Sequence, residues 1–429
     1  MFEFLANQSD LGIFKLYGGF LLGLWWLWLP VLLFIIFFQA WIYYIQRKYW
    51  QTVNWILLEI KPPKDIERSP KNVESIFAGF WGVYGTVATK AEKYIQGKLQ
   101  DYFSLEIVGI GGQIRFFIRT PIKFRNLVEA KIYAQYPKAE IQEVEDYTQN
   151  LPSGIFGKDW DLWGTVLQLT KPDAYPIRSY TEFTDIQSLQ PFIDPMGNLM
   201  EVLSKLQRGE QVWLQILVRP VHDDWKKEGE RLVAKLIGRS AAIKRGLIRE
   251  EAHGWLEAIR TVFYELISGK LEEISVEKKK EEGLPSLMQF LSPGEKEIVE
   301  AIEKNLAKKG FQTKIQWVYF GEKDVFSKPN VGAIMGFFNQ FSTLNLNGFK
   351  PHKRYITTAY YLFSEERKAL KKRVMLRLCR SRSFWEKSYV FNTEELATLW
   401  HFPTIAVEAP MVPRVEARKG GPPPELPVE

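Results

Sequence analysis

Cysteine and histidine are scarce in this sequence. Its 429 residues include one cysteine, Cys379, and four histidines. A single cysteine excludes an intramolecular disulfide and any zinc site built from several cysteines. Histidine is the most frequent general base in enzymes, so four histidines leave few ways to build a nucleophile–base pair.

The signatures of nucleotide-binding loops are also missing. A P-loop has the pattern GxxxxGK followed by Ser or Thr, because backbone N–H groups and the lysine bind the phosphates. The nearest match, at 152–159, has Pro152 in place of the first glycine and Asp159 in place of the hydroxyl residue. Gly111 and Gly112 precede a strand-like run, whereas a dinucleotide-binding loop precedes a helix. We therefore predict no enzyme activity, no cofactor and no metal site.

One long apolar run lies near the N terminus. Between Phe20 and Ile45, Gln39 is the only strongly polar side chain. A helix rises about 1.5 Å per residue, so this run is long enough to cross a hydrocarbon layer of about 30 Å. Aromatic residues are typical of both membrane interfaces, and here they are Trp25, Trp26, Trp28, Trp41, Tyr43 and Tyr44. The pattern predicts a single transmembrane helix over 20–45, in contact with membrane lipid.

The charges on either side of this run predict its orientation. Lys15 is the only Lys or Arg before the run, whereas Arg47, Lys48, Lys61 and Lys64 follow it. Because positive charge is enriched on the cytoplasmic side, we expect the N-terminal tail outside and the bulk of the chain in the cytoplasm.

The rest of the chain has the pattern of an α+β protein. Two strand-like runs flank Gly111 and Gly112, as in a hairpin, and a helix and a third strand follow them. Short strands interrupted by helices on an antiparallel sheet suggest a ferredoxin-like sandwich. We predict two such cytoplasmic regions, at 101–221 and 292–408, which could be distant structural duplicates.

The remaining segments connect or extend these regions. Trp50, Val53, Leu57 and Ile60 recur at helical spacing, so the first helix is expected to continue along the membrane surface. We assign the segments as an outer tail at 1–19, a juxtamembrane helical segment at 46–100, a helical segment with a charged linker at 222–291, and a mobile tail rich in proline and glycine at 409–429.

Positive charge is concentrated at 365–387, although the whole chain has a net charge of only +7. Leu370, Val374 and Leu378 fall on one stripe of the predicted helix, which is typical of an amphipathic helix. The candidate residues for contact with a polyanion or a partner are Lys371, Lys372, Arg373, Arg377, Arg380 and Arg382. Nucleic acid, lipid headgroups and an acidic protein surface are the alternatives, and a solvated basic face is the simplest interpretation.

Three phrases of the sequence carry a resemblance to a known family. They are LLEIKPPKDIERSPKNVESIFAGFWG at 57–82, SLEIVGIGGQIRFFIRTPIKFRNLVEAKIYAQYPKAEIQEVEDYT at 104–148, and NTEELATLWHFPTIAVEAPMVPRVEARKGGPPPELP at 392–427. In this order they resemble the membrane-anchored N-terminal half of bacterial conjugation and type IV secretion ATPases of the coupling-protein kind. The similarity is strongest to an uncharacterised family of small-genome bacteria, and the P-loop motor domain of such ATPases is missing here.

The resemblance implies a role in a multiprotein machine. It implies a non-catalytic scaffold in the bacterial inner membrane, acting with a separate P-loop ATPase, with other secretion proteins and with copies of itself. The alternative is a membrane-tethered nucleic-acid-binding module that uses the basic helix at 365–387.

Overall fold

The computed structural model describes residues 25–63, 69–85, 94–151, 159–183, 194–237, 291–384 and 388–404, with isolated positions at 23, 92 and 413. Their strands are β1 Trp55–Lys61, β2 Phe103–Ile110, β3 Gln113–Pro121, β4 Glu140–Val144, β5 Trp160–Leu169, β6 Gln211–Pro220, β7 Gly310–Glu322, β8 Phe349–Pro351 and β9 Tyr389–Asn392. Their α-helices are α1 Trp25–Thr52, α2 Lys71–Trp81, α3 Arg125–Gln135, α4 Met196–Ser204, α5 Asp224–Leu236, α6 Pro293–Leu306, α7 Lys328–Asn339, α8 Ser364–Ser381 and α9 Thr393–Leu399.

All nine of these strands belong to one sheet. Its strand order is β4-β1-β3-β2-β6-β7-β5-β8, and β9 pairs with the start of β7. Every pairing is antiparallel. The predicted α+β class, with one long apolar helix at the N-terminal end, is confirmed.

The sheet contains the same topology twice. The first repeat is β1-α2-β2-β3-α3-β4 with strand order β4-β1-β3-β2, which is the ferredoxin-like arrangement. The second repeat is β5-α4-β6-β7-α7-β8 with strand order β8-β5-β7-β6. The repeats join where β2 pairs with β6, from Phe103 opposite Val218 to Ile110 opposite Gln211. An approximate twofold axis, normal to the sheet and close to the Glu106–Gln215 pair, therefore relates the two repeats.

The repeats group the strands differently from the two regions predicted at 101–221 and 292–408. The first repeat spans 55–144 and includes β1, while the second spans 160–351 and includes β5 and β6. In the first repeat, Gly111 and Gly112 form a tight hairpin with positive φ angles of 53° and 86°. The corresponding connection in the second repeat, from β6 to β7, instead contains α5 and α6.

Residues 55–61 form a strand, so the predicted continuation of the first helix through Leu57 and Ile60 is wrong. Helix α1 ends at Thr52 and β1 begins at Trp55. Leu57 is buried on one face of the sheet and Leu58 and Ile60 on the other. A strand that is buried on both faces loses the alternation of polar and apolar residues, and the helical spacing of its apolar residues is a coincidence.

The two faces of the sheet are covered unequally. One face carries α2, α3, α4, α7 and α9 and contains the largest hydrophobic core. The opposite face, which we call the open face, is crossed by α8, and Met375, Leu376 and Cys379 are buried against it. Leu370 and Val374 are exposed, so the buried side of α8 differs from the stripe that the sequence suggests.

Helix α1 is packed against the body of the protein at its C-terminal end. Trp50 lies with its ring centroid 5.1 Å from that of Tyr102, and Trp55 lies 4.8 Å from the same ring. Gly97 also touches the backbone of α1, since a Cβ there would lie 2.5 Å from the carbonyl carbon of Ile45. The helix is therefore held to the sheet by direct packing.

Candidate functional site: an arginine-lined cleft on the open face

A buried chain of hydrogen bonds lies at the centre of the open face. Glu106 on β2, Gln215 on β6 and Gln316 on β7 are direct neighbours across three strands. Gln316 Nε2 donates to Gln215 Oε1 at 2.7 Å, and Gln215 Nε2 donates to the Tyr147 hydroxyl at 2.9 Å. The Tyr147 hydroxyl donates to Glu106 Oε2 at 2.7 Å. This chain connects the two repeats close to their twofold axis.

Arg382 adds a charge to the same centre. Its Nε and Nη2 donate to the two carboxylate oxygens of Glu106 at 2.7 and 3.0 Å. Its Nη1 and Nη2 also donate to the two oxygens of Asp146, at 2.6 and 3.0 Å. Two bidentate pairs on one guanidinium are a strong and directional arrangement. They fix the C-terminal end of α8 to β2 and to the loop after β4.

The pKa shifts within this cluster favour the charged forms of Arg382 and Asp146 and the neutral form of Tyr147. Burial is the largest single influence on Arg382 and would lower its pKa, but the charges of Glu106 and Tyr147 and the hydrogen bonds to Glu106 and Asp146 together raise that pKa well above its ordinary range. Burial would raise the pKa of Asp146, but the hydrogen bonds and charge of Arg382 lower it. Burial and the charge of Glu106 raise the pKa of Tyr147, which stays a neutral donor.

Three of the six residues predicted to contact a polyanion bind other groups of the protein instead. The side chain of Arg382 is fully buried, so the predicted surface contact is wrong for this residue. Lys371 Nζ donates to the Thr358 carbonyl at 2.8 Å, and Lys372 forms an ion pair with Asp161. Burial, followed by the charge of Arg367, lowers the pKa of Lys371.

The other three residues, Arg373, Arg377 and Arg380, are exposed and line a cleft. The cleft has a volume of about 740 Å³ and lies between α8 and the loop at 146–149. Its lining residues are Asp146, Thr148, Gln149, Arg373, Leu376, Arg377, Arg380 and Ser381. Since Asp146 is paired with Arg382, the three arginines determine the charge of the cleft. Guanidinium groups with nearby hydroxyl and amide groups suit an anionic ligand such as a phosphate or carboxylate.

The residues predicted to lie at the membrane interfaces all belong to α1. Within its Leu29–Thr52 portion, the most apolar window has a mean hydropathy of 1.8 and only 11% of that window is buried. The helix is long and apolar enough to cross a membrane. The exposed side chains among the predicted interface residues are Trp25, Trp26, Trp41, Tyr43, Tyr44, Arg47 and Lys48. The side chain of Trp28 lies outside the described residues, as do residues 20–22 and 24.

The described residues contain no group of three or more His, Cys, Asp and Glu side chains that could hold a metal ion. His401 is instead placed between two acceptors, with Nδ1 2.8 Å from the Ala397 carbonyl and Nε2 2.9 Å from Asp194 Oδ1. The glycine–lysine loop at 152–158 and the tail at 409–429 fall outside the described ranges, except for position 413 of the tail.

Sequence reasoning missed the acidic residues that hold α8 in place. Glu106 lies in the middle of the run SLEIVGI, with apolar residues on both sides. A carboxylate within a central strand needs a buried partner. The position of Glu106 in an apolar run therefore predicts a buried cation beside it. The sequence does not indicate that the partner would be Arg382, which is 276 positions away.

A comparison with family models gives a match over both repeats and the cleft. A model described as a domain of unknown function, DUF8128, matches residues 49–414, which is more than half of the chain. The chain belongs to this family. The DUF8128 range begins near the end of α1 and includes the sheet, α8 and α9. No curated protein matches the sequence.

Proposed function

We propose that the protein is a non-catalytic, membrane-anchored platform of a type IV secretion or conjugation-like transfer apparatus. One observation carries the proposal: α1 exposes its apolar side chains along most of its length, while its C-terminal end packs on the body through Trp50 and Tyr102. A helix exposed in this way needs an apolar environment, and the packing gives the body a fixed place beside that environment.

The location and the partners belong to the same proposal. Arg47 and Lys48 are exposed at the body end of the apolar stretch, which favours a cytoplasmic body and a single-pass helix in the bacterial inner membrane. The resemblance of the sequence to coupling-type ATPases supports a separate P-loop ATPase and other secretion proteins as partners, together with further copies of the chain.

Membrane fractionation tests the anchor. The full-length protein is expected to stay in the membrane pellet after alkaline carbonate washing, and the Leu33→Lys, Ile36→Lys double variant is expected to move to the supernatant. An exchange on the body, Lys138→Glu, serves as the control and should stay in the pellet. Release of the unaltered protein by carbonate, or its isolation from detergent as a monomer without partners, would argue against the platform.

The arginine cleft favours a second candidate function, which is the binding of a polyanion such as nucleic acid. Arg373, Arg377 and Arg380 are exposed on the same helix beside the cleft. A contact of this kind weakens steeply with salt, because bound counterions are released. Fluorescence anisotropy with a labelled oligonucleotide is expected to show salt-dependent binding that is lost when the three arginines are changed to glutamate.

A matched control separates the cleft from the general charge of the protein. The triple variant Lys138→Glu, Lys296→Glu, Lys323→Glu changes the net charge by the same amount at exposed positions outside the lining of the cleft. It should retain most of the binding. Equal losses in the two triple variants, or no binding at low salt, would remove the cleft as a polyanion site.

A further inference from the structure

The segment before α8 exposes four consecutive large residues. Tyr360, Tyr361, Leu362 and Phe363 are each between 71% and 92% exposed. Leu370 and Val374 are also exposed, and they follow Phe363 at the spacing of one helix face. We call these six residues the aromatic patch. Single exposed apolar residues are common, whereas a contiguous group of this kind marks an interaction site.

The backbone beneath the aromatic patch is held in a defined conformation. Tyr361 and Phe363 have φ angles of 69° and 55°, in a left-handed region that costs an L-residue about 1–2 kcal/mol. Arg367 Nη1 donates to the Tyr360 carbonyl at 3.1 Å, and the Arg367 amide donates to the Phe363 carbonyl at 3.0 Å. Ala359, just before the patch, is buried. The exposure of the patch is therefore built into the fold, as is typical of strained functional segments.

The surroundings of the aromatic patch are strongly basic. Residues 353–377 contain eight Lys and Arg against two acidic residues, Glu365 and Glu366, which gives a net charge of +6. Lys353, Arg354 and Arg367 are exposed within this stretch. Two copies of the chain that met through this patch would bring like charges together, which opposes association. The complementary partner is acidic.

The position of the patch favours a protein partner over a membrane surface. Helix α8 has 18 residues and is about 27 Å long. At its C-terminal end the Arg382 carbonyl accepts a hydrogen bond from Tyr102, and Tyr102 packs against Trp50 of α1. The patch lies at the other end of α8, away from α1. A membrane crossed by α1 would meet the body near the C-terminal end of α8, about one helix length of 27 Å from the patch.

We propose that the aromatic patch docks a protein partner whose contacting segment combines apolar side chains with Asp and Glu. The apolar residues of that segment cover Tyr361, Leu362 and Phe363, and its carboxylates face Lys353 and Arg354. The inference goes beyond the proposed function, since it names a docking surface and the chemistry of its partner and requires no secretion apparatus.

Photo-crosslinking in cells tests the docking surface with the full-length protein. A benzophenone amino acid replaces Leu362, and the control places it at Leu344, a single leucine that is 98% exposed in the loop after α7. We expect a discrete protein adduct at position 362 and little at 344. Mass spectrometry should place the crosslink in a partner peptide with net negative charge and apolar residues. The Lys353→Glu, Arg354→Glu background should reduce the adduct several-fold.

Four outcomes would overturn the inference. They are an adduct that joins two copies of this chain, an adduct with lipid, a crosslinked partner peptide that is not acidic, and an equal yield at positions 362 and 344. None of these outcomes bears on the platform proposal, which carbonate fractionation tests. A failure of the docking inference can therefore be distinguished from a failure of the platform proposal.

Discussion

Arg382 joins the end of α8 to two other parts of the chain, around β2 and after β4, through its guanidinium and backbone. Glu106, Asp146 and Tyr102 all bind it, and its side chain is fully buried. Removing one partner of a buried ion pair leaves an uncompensated charge and costs about 3–5 kcal/mol. Arg382→Met is therefore expected to lower the free energy of unfolding by about 3–5 kcal/mol, measured by denaturant titration of the detergent-solubilised protein.

The same substitution two residues earlier is the matched control. Arg380 is exposed at the end of the same helix, so Arg380→Met should change the free energy of unfolding by no more than about 0.5 kcal/mol. If both variants lost the same stability, the buried cluster would not be what holds α8 on the sheet.

Glu395 makes stability depend on pH. Burial raises the pKa of Glu395 from 4.5 to about 8. The folded protein then keeps a proton that the unfolded chain releases, so the stabilisation is complete below about pH 4.5 and is lost as the pH rises through about 8. We expect the free energy of unfolding to fall between about pH 4.5 and about pH 8, and the fall to be smaller in Glu395→Gln.

The control variant for this prediction is Glu300→Gln. Glu300 is exposed on α6, so its removal should leave the slope of stability against pH unchanged. A steep fall that persisted in Glu395→Gln would assign the pH dependence to another group.

At the scale of single residues, the sequence predicts the positions of exposed charges better than those of buried charges. Arg373, Arg377 and Arg380 lie on the surface, as their helical spacing suggests. The burial of Arg382 depends on Glu106 and Asp146, which are brought to it by the sheet. A contact between residues so distant in sequence leaves no periodic pattern.

At the scale of elements, α8 lies close to the sheet because Gly164 on β5 has no side chain. A Cβ there would lie 2.8 Å from Met375 Cγ and 2.9 Å from the Trp317 carbonyl oxygen. Overpacking of this kind costs about 1–3 kcal/mol. Gly164→Ala is expected to destabilise the protein by that amount, as measured by thermal or denaturant unfolding.

A glycine on α7 provides the control. A Cβ at Gly336 meets nothing within 4 Å, and alanine is a better helix former than glycine by about 0.5–1 kcal/mol. Gly336→Ala should therefore be neutral or stabilising. Similar losses in both variants would mean that close approach of α8 is not the cause.

The individual elements were more predictable than their contacts. The hairpin at Gly111 and Gly112, and the helix and the third strand after it, follow from turn residues and apolar periodicity, and the structure confirms them. Strand β1 was mistaken for a helix because both of its faces are buried. The buried side of α8 was misjudged because Leu370 belongs to the aromatic patch, where apolar residues face outward.

At the scale of the whole molecule, the pairing of β2 with β6 is what makes one sheet from two repeats. The ferredoxin-like topology follows from the order of elements, but a sequence does not state which edge strands meet. The insertion of α5 and α6 between β6 and β7 also hides the second repeat from a search for short repeats. The division of the chain into domains therefore remains a prediction, while the duplication is visible in the sheet.

The buried position of Cys379 allows a test of the proposed orientation. Because this cysteine is the only one in the sequence and is buried, an introduced cysteine will dominate labelling by a membrane-impermeant maleimide. We expect Ser9→Cys to react in intact spheroplasts and Leu344→Cys to react only after lysis. The unaltered protein is the background control, and labelling of Leu344→Cys in intact spheroplasts would reverse the proposed topology.

The connection from α1 to β1 also determines how the molecule bears mechanical load. A pull through α1 acts on the first residue of β1, and β1 is paired on both sides, with six residue pairs to β3 and five to β4. Its backbone hydrogen bonds would be loaded together in shear. Strand β9, by contrast, pairs with β7 through four residue pairs, its one pairing among the described residues. Tension applied through α1 should therefore be shared by both pairings of β1 before β1 leaves the sheet.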